Sequence, residues 1–414
     1  MARPATEPDR RRDRRDHARR NRPLLRALSP LAHSSAAEAQ ALPVPPFTLE
    51  HEQLRAEIRG FVEQRLRPRA EAWEAAEWFP SEAFGWLAEA GYLGLRFPAE
   101  YGGREDPVAA AVLCEELARC GSGGVAAGLG AHTSIALPPI WTFGTEEQKQ
   151  RYLVPGLKGA KIAALAISEP DAGSDVASVR TRARRVDGGY VVDGAKTFIT
   201  GGVRADVLVT AVRTGETDAP DRHRGISFLI IERGPGVSSS PLRKLGWHAS
   251  DTAEIAFDDV FVPEENLLGA EHGGFYLIMA NFQWERLVMA LGAIGGMQAC
   301  FEMTLEFVRN RDGGCSQSVR HQLAEIAVEI EAGRDMTYAA LRRFAAGEEA
   351  VREVTIAKLK TQRAAFDVID VCFQIHGHDV PPELERALRD ARLGPIGGGT
   401  DEIMKEILGR SLGL

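Results

Sequence analysis

The sequence predicts an α+β protein built from three consecutive parts: a helical domain, an antiparallel β domain and a helical bundle. Apolar residues recur first with the helical period, then give way to runs rich in β-branched and aromatic residues, and later return to the helical period. The 414 residues also exceed what one hydrophobic core usually supports. We place the three domains at residues 47–160, 161–272 and 273–414.

The first domain is predicted to begin with an amphipathic helix. Leu54, Ile58 and Val62 recur at helical spacing with charged residues between them, and Thr48 precedes them in the position of an N-cap. Three later segments also have helical patterns: SEAFGWLAEAGYLGL, VAAAVLCEELARCGSGG and TEEQKQRYLVPGL. Together these segments make the first domain helical.

The second and third domains differ in their hydrophobic period. Strands are predicted in the segments KIAALAIS, YVVDGAKTFIT, ADVLVTAVRT, GISFLIIERG and TAEIAFDDVFVP, with Asp-Gly and Gly-Gly marking turns. From residue 274 a single long helical pattern runs through GFYLIMANFQWERLVMALGAIGGMQACFEMTLEFVRNR, and two more long patterns follow. Long amphipathic helices favour a bundle that also serves as an oligomer interface.

Composition argues against several classes of protein. A net charge of −8 disfavours nucleic acid or an anionic membrane surface as the main partner. No apolar run approaches the roughly 20 residues that a transmembrane helix needs. The five cysteines are odd in number and form no CxxC pair, which disfavours a disulfide framework and a zinc site. We therefore expect a cytoplasmic protein without a metal ion or a membrane span.

Residues 1–46 have a different character from the rest of the chain. They are dense in arginine, contain no aromatic residue and include interspersed acidic residues, which weakens the interpretation as a transit peptide. We predict a disordered basic tail, produced by an over-extended gene start, that ends in the linker LPVPP.

Two loops of the β domain carry polar groups beside strand ends. In AISEPDAGSD (166–175), Ser168, Gly173 and Ser174 combine hydroxyls with open backbone, which suits a phosphate or a polar ring edge. In KTFITGG (196–202), Phe198 and Thr200 share a face if side chains alternate with period two, which suits a flat heterocycle. Taken alone, the first loop is more simply a capped surface turn, and Phe198 is more simply a core residue.

Glu285 is the strongest candidate for acid–base chemistry. It lies in NFQWERLVMA, an apolar helical stretch, where burial would raise the pKa of a carboxyl towards neutrality, as a general base requires. The alternative is a solvent-facing glutamate beside Arg286. The residues alone favour neither interpretation over the other.

The motifs occur together and in order along the chain. They are FTLEHEQLR, LGLRFPAEYGG, AISEPDAGSD, KTFITGG, KLGWHASDTAEIAFDDVFVPEENLLG, NFQWERLVMALGA, RDAR and IGGGTDEIMKEILGR. As a set, over residues 47–414, they resemble the acyl-CoA dehydrogenase family.

The resemblance implies FAD-dependent desaturation of an acyl thioester between Cα and Cβ. In such an enzyme a carboxylate removes the α proton, and flavin N5 takes the β hydrogen as hydride, in a pocket without water. The resemblance assigns cofactor contacts to Ile167, Ser168, Gly173, Ser174, Phe198, Thr200, Arg311, Gln317, Gln374, Gly377, Thr400 and Glu402. It assigns substrate contacts to Ser174, Trp284, Arg286 and Gly398.

The resemblance also locates the catalytic base. Most family members carry a glutamate two positions before the threonine of the C-terminal motif, but here that position is Gly398. A minority, including the long-chain and isovaleryl-CoA dehydrogenases, carry the base on the preceding long helix, and Glu285 matches it. The resemblance therefore implies that Glu285 is the base, and the shift commonly accompanies branched or bulky acyl chains.

Two stretches depart from the family pattern where it holds the ADP half of FAD across a subunit interface. After Arg311 an aromatic residue is missing and the loop to Gln317 is about five residues short. After Gln374 and Gly377, His378 replaces a glycine and adds a side chain where backbone approaches phosphate. The resemblance still implies a homodimer or homotetramer.

Alternatives to a working dehydrogenase stay open at this point. One is a flavin-deficient homologue that binds acyl thioesters or partners an intact subunit. Another is a flavin oxidase or monooxygenase of the same fold. For a dehydrogenase, the resemblance implies acyl-CoA or an acyl-carrier-protein thioester as substrate and an electron-transfer flavoprotein as acceptor.

Overall fold

A computed structural model describes residues 43–215, 223–311 and 314–414. Except for residues 43–46, the tail predicted over residues 1–46 lies outside the described residues.

The first domain is helical, as predicted. Helix α1 (Leu49–Phe61) begins at Thr48, whose hydroxyl accepts a hydrogen bond from the N–H of His51, while the His51 side chain accepts one from the N–H of Thr48. The other helices are α2 (Ala70–Ala75), α3 (Glu82–Glu89), α4 (Pro107–Leu117), α5 (Gly123–Gly130), α6 (Leu137–Phe143), α7 (Glu146–Gln148) and α8 (Val154–Leu157). Short π-helical segments at Val62–Leu66, Ala131–Ala136 and Lys149–Leu153 join several of them.

The second domain is one mixed sheet among the described residues. Its strands are β1 (Ala163–Ala166), β2 (Arg182–Val186), β3 (Gly189–Ile199), β4 (Val207–Arg213), β5 (Ile226–Glu232), β6 (Val237–Pro241), β7 (Ala253–Pro263) and β8 (Leu267–Leu268). The strand order is β6-β7-β3-β2-β4-β5-β8, with β1 paired to β4. Strands β2, β6 and β8 were not predicted, because they are short or rich in arginine and serine.

The sheet is mostly antiparallel, with two parallel pairings, of which the longer bears on the site. Strand β1 runs parallel to β4, with Ala163 opposite Val207, and β2 meets β4 in a single parallel pair. Parallel neighbours need a crossover, and here the chain from β1 to β4 passes through the loop at 167–181 and the hairpin of β2 and β3. This route carries the loop at 166–175 to the end of β3.

The third domain is a helical bundle. Its helices are α9 (Gly274–Arg309), α10 (Gln317–Ala345), α11 (Val351–His376), α12 (Pro382–Asp390) and α13 (Asp401–Ser411). Trp284 and Leu287 of α9 and Tyr338 and Leu341 of α10 belong to the same hydrophobic core as the helices of the first domain. The first and third domains therefore pack as one helical body around α9.

By length and apolar composition, helix α9 could cross a membrane, whereas the apolar runs of the sequence predicted no such segment. Half of its most apolar window is buried inside the protein, and core helices of soluble proteins pass the same test. Across the described residues, no three His, Cys, Asp or Glu side chains come together as a metal site.

Candidate active site

Glu285 lies within α9, where the helix passes through the protein interior. Its Oε2 atom is buried and has no hydrogen-bond partner among the described residues. Removal from water raises the pKa of this carboxyl from 4.5 to about 7, against the opposing charges of Arg286 and Lys358. The side chain as a whole is half-buried with Oε2 out of water, which favours the buried interpretation over the solvent-facing one. A carboxylate with this pKa can accept a proton near neutral pH.

The two neighbours of Glu285 have different surroundings. Arg286 is buried, lies 5.3 Å from the ring centroid of Phe282, and its Nε has no partner in the described part of the chain. Trp284 is 1% exposed and packs between Phe344 and the guanidinium of Arg96. Arg286 therefore keeps a spare donor near the carboxylate. Trp284 is placed as a core residue, and the geometry lends no support to its predicted contact with substrate.

A cavity of about 200 Å³ lies along the face of α9 that carries Glu285. It is bordered by Val288, Met289, Gly292 and Gly296, which follow Glu285 by three, four, seven and eleven residues and so share one side of the helix. The other walls come from α4, α5, α11 and α12, with mainly apolar or small side chains. An apolar group in this cavity would extend away from the carboxylate.

The glycine run at 397–399 is a turn that leads into α13. Gly398 and Gly399 have left-handed backbone, with φ of 63° and 94°, and Thr400 caps α13 by accepting a hydrogen bond from the N–H of Ile403. A Cβ on Gly398 would lie 3.0 Å from Cγ of Met289, which is one helical turn beyond Glu285. The two positions where family members carry a base are therefore close together here, and only one of them holds a carboxylate.

Lys358 of α11 fixes this turn, and sequence reasoning missed it. Its side chain is fully buried, and its Nζ donates to the carbonyl oxygens of Gly394 at 3.0 Å and Gly399 at 2.6 Å. Burial lowers its pKa to about 8, although nearby Asp401 opposes the shift. The available signal was a lysine within the apolar pattern of TIAKLK. Glu402, one residue later than Asp401, is exposed in the first turn of α13.

A buried ion pair attaches the loop at 166–175 to the end of β3. Nζ of Lys196 donates to Oε1 of Glu169 at 2.7 Å and to the carbonyl of Ile167 at 3.0 Å. The N–H of Thr197 donates to the carbonyl of Ser168 at 2.9 Å. Ile167 and Ser168 are thereby held beside the strand that carries Phe198. Sequence reasoning missed the pair, since its members lie far apart in the chain.

Phe198 is not a core residue, so the simpler interpretation from sequence is wrong. Its side chain is 71% exposed, and its backbone is left-handed with φ of 60°. The pairing of β3 with β7 is irregular between Lys196 and Ile199, so the period-two alternation that was predicted to place Phe198 and Thr200 on one face is interrupted. An exposed aromatic face in a strained conformation suits stacking on a flat ring.

The remaining residues of this loop lie in the open. Gly173 and Ser174 are exposed, and Glu169 pairs with Ala172 as an isolated bridge just before them. The loop is therefore a surface turn that is also anchored to the end of β3, which combines both interpretations from sequence.

The predicted ADP-binding residues gather at one end of the bundle. Arg311 follows the end of α9, Gln317 opens α10, and Gln374 and Gly377 lie at the end of α11; all four are exposed. Between them, the buried ring of His376 stacks on Phe307 with centroids 4.1 Å apart, and neither ring nitrogen has a partner in the described ranges. Gln374 itself donates to Asp370 at 2.7 Å.

Family models match nearly the whole described chain. The N-terminal domain of acyl-CoA dehydrogenase matches residues 48–160, the middle domain matches 164–260, and the C-terminal domain matches 272–413.

Individual relatives agree with these matches. The chain is 36% identical over 374 residues to a mitochondrial isovaleryl-CoA dehydrogenase of Solanum tuberosum, covering 87% of this chain and 90% of that protein. It is 34% identical over 380 residues to the mitochondrial long-chain specific acyl-CoA dehydrogenase of Rattus norvegicus, covering 88% and 87%. A crystal structure of an acyl-CoA dehydrogenase from Geobacillus kaustophilus superposes with a TM-score of 0.85 at 37% identity, covering 90% of this chain and all of that one.

Proposed function

We propose, from the premise that the chain belongs to the acyl-CoA dehydrogenase family, that Glu285 is the base that removes the α proton of its substrate. The enzyme catalyses FAD-dependent dehydrogenation of an acyl-CoA. The observation that carries the proposal is the buried, partnerless Oε2 of Glu285, about one helical turn before an apolar cavity that begins at Val288 on the same helix. The glycine run at 397–399 carries no carboxylate that could act in its place.

The exposed ring of Phe198 is the feature of the described residues that fits the flat ring system of FAD. Its exposed ring lies beside the anchored loop of Ile167 and Ser168, so a flat ring system has an apolar face and backbone polar groups in reach. When bound, FAD supplies the acceptor for the hydride that leaves Cβ. The ADP half would meet the exposed residues Arg311 and Gln374 at the end of the bundle.

The chain's own residues account for the proton half of the reaction. Glu285, ionised above its pKa of about 7, accepts the proton from Cα, and the electron pair of the broken C–H bond forms the double bond as hydride leaves Cβ. The apolar cavity walls exclude water from the thioester side. Lys358 holds the turn that carries Thr400, and so positions this side of the site.

Partners and compartment are further parts of this proposal. The exposed Arg311, Gln317 and Gln374 support a homodimer or homotetramer in which a second subunit completes the ADP site. An electron-transfer flavoprotein is the proposed electron acceptor, and CoA is preferred to an acyl carrier protein. The cytoplasm is the proposed compartment, and it is supported by five cysteines that are all unpaired.

The test is Glu285→Gln in the purified holoenzyme. We expect FAD to remain bound, as the visible spectrum reports, while bleaching of the flavin by acyl-CoA falls by at least about a hundredfold. Glu306→Gln is the matched control, since Glu306 is exposed on the same helix and more than five turns away. Bleaching at the wild-type rate in Glu285→Gln would contradict the assignment. A wild-type protein that takes up no FAD would favour the flavin-deficient alternative.

A further inference from the structure

The cavity beside α9 indicates which acyl chains the enzyme takes. Resting on the function proposed above, we propose that the substrate is a long-chain acyl-CoA with about 12 to 16 acyl carbons and a methyl end, from the length of the cavity along the helix. Similarity to relatives does not decide this, because the isovaleryl and long-chain proteins are almost equally identical to the chain.

The length of the cavity is set by the residues of α9 that border it. They extend from Val288 to Cys300, which at about 1.5 Å per residue is about 18 Å of helix. An extended chain advances about 1.2 Å per bond, by the geometry of extended polypeptide, so this length holds about 15 bonds. A four- or five-carbon acyl group would occupy only about a third of this length.

Glycines keep the cavity open along its length. A Cβ on Gly292, Gly296 or Gly130 would meet no described atom within 4 Å outside its own helical turn, so each glycine leaves room that its helix packing does not need. Gly295, between two of them, is different: its Cβ would lie 2.1 Å from the carbonyl oxygen of Glu115 in α4. One glycine of α9 therefore permits close helix packing, while its neighbours border empty space. Because glycine is about 1 kcal/mol less favourable than alanine inside a helix, this space has a cost in stability.

The far end of the cavity disfavours an acyl chain that ends in a carboxylate. The charged residues that border it are Glu383 and Asp390, both acidic. Glu383 pairs with Arg67 at 3.0 Å, and the carboxylate of Asp390 accepts hydrogen bonds from the N–H groups of Gly123 at 2.9 Å and Trp247 at 2.6 Å. No cation borders the cavity among the described residues, so a second carboxylate would meet repulsion there.

The first experiment is a substrate panel with the holoenzyme. Butyryl-, isovaleryl-, octanoyl-, lauroyl- and palmitoyl-CoA are compared by the rate of flavin bleaching, with the dicarboxylic hexadecanedioyl-CoA as a sixth compound. Burial of a methylene is worth up to about fourfold in affinity, so kcat/KM should rise at least about a hundredfold from butyryl- to lauroyl-CoA. Palmitoyl-CoA should exceed hexadecanedioyl-CoA by at least about tenfold.

Two variants test the position of the chain. Gly296→Leu should lower the ratio of palmitoyl to butyryl activity by at least about tenfold, and Gly292→Leu should place the cut-off at a chain about five carbons shorter, being about 6 Å nearer the base. Gly60→Leu is the matched control, because Gly60 is also a helical glycine with open space at Cβ but lies in α1, away from the cavity. If a leucine variant fails to fold, Gly296→Ala replaces it, with a smaller shift in the same direction.

The outcomes separate the two proposals. Fast bleaching by butyryl- or isovaleryl-CoA with no gain for longer chains would overturn the long-chain inference and leave the dehydrogenase function intact. Equal chain-length profiles in wild type, Gly292→Leu and Gly296→Leu would overturn it as well. No bleaching by any acyl-CoA in a protein that contains FAD would overturn both proposals.

Discussion

Replacing Glu285 by glutamine should stabilise the protein, and the gain should grow with pH. The pKa of Glu285 is about 7 in the folded protein against 4.5 ordinarily. Between these values the unfolded chain releases a proton that the folded chain retains, so the free energy of unfolding falls as pH rises. The difference of about 2.5 units corresponds to about 3 kcal/mol, lost in full above the folded pKa. Glutamine does not titrate, so the free energy of unfolding of the variant does not fall with pH in this way.

Urea unfolding at pH 5 and pH 8 measures the effect. The free-energy difference between Glu285→Gln and wild type should increase by about 2 to 3 kcal/mol between the two pH values. Glu306→Gln, on the exposed side of the same helix, should show no such increase. Any change in packing or hydrogen bonding caused by glutamine is independent of pH and cancels in the comparison. A stability difference that is the same at pH 5 and pH 8 would refute the raised pKa.

The raised pKa of Glu285 affects catalysis in the opposite sense to stability, because activity should increase as pH rises. Because only the carboxylate accepts a proton, kcat/KM should fall about tenfold per pH unit below about pH 7 in the wild type. If kcat/KM instead begins to fall only near pH 4.5, the carboxyl of Glu285 is in contact with water in the free enzyme. The position that makes Glu285 a useful base is therefore also one that lowers stability at working pH.

Two other predictions concern the turn at Gly398 and the ion pair of the β domain. In the Glu285→Gln protein, Gly398→Glu should restore part of the activity only when Met289→Ala is also present. A side chain at φ of 63° costs about 1 to 2 kcal/mol, and its Cβ would lie 3.0 Å from Met289. Flavin bleaching measures the rescue, and a triple variant no faster than Glu285→Gln would refute it. Lys196→Met should cost about 3 to 5 kcal/mol in urea unfolding, since it leaves the carboxylate of Glu169 buried without a cation, with only the N–H groups of Arg180 and Thr181 as partners. Adding Glu169→Gln should recover part of this loss, because it removes the charge and keeps an oxygen for the N–H groups of Arg180 and Thr181. A double variant as unstable as the single one would contradict the explanation.

Local signals in the sequence account for the parts of the fold that were predicted. Thr48 forms the cap that its position before an amphipathic pattern indicated, and the long pattern from residue 274 is one helix of 36 residues. Strand β2 escaped prediction because RARRV has few apolar residues, and only Ala183 of it is buried. Its place in the sheet comes from β3, to which a tight turn at Gly188 joins it.

The sequence indicated candidate site residues, but it did not indicate the buried residues that hold the neighbouring loops in place. Glu285, Phe198 and Thr400 follow from motifs, since each lies in a recognisable local pattern. Lys196 and Lys358 do not, because each is a buried cation whose partners are 27 to 41 residues away in the chain. The exposure of Phe198 was also hidden, because a left-handed residue inside a strand interrupts the alternation from which the side of the sheet is inferred.

The glycine at position 398 and the glycines of α9 both leave space along one face of α9. With no side chain at Gly398, Met289 lies close to the turn, and the proposed base, Glu285, lies one turn earlier on α9. The cavity then begins on that same helix face and continues past Gly292 to Gly296. The proposed base and the proposed acyl site thus lie along one helix, so a one-residue insertion in α9 before Glu285 would shift both together.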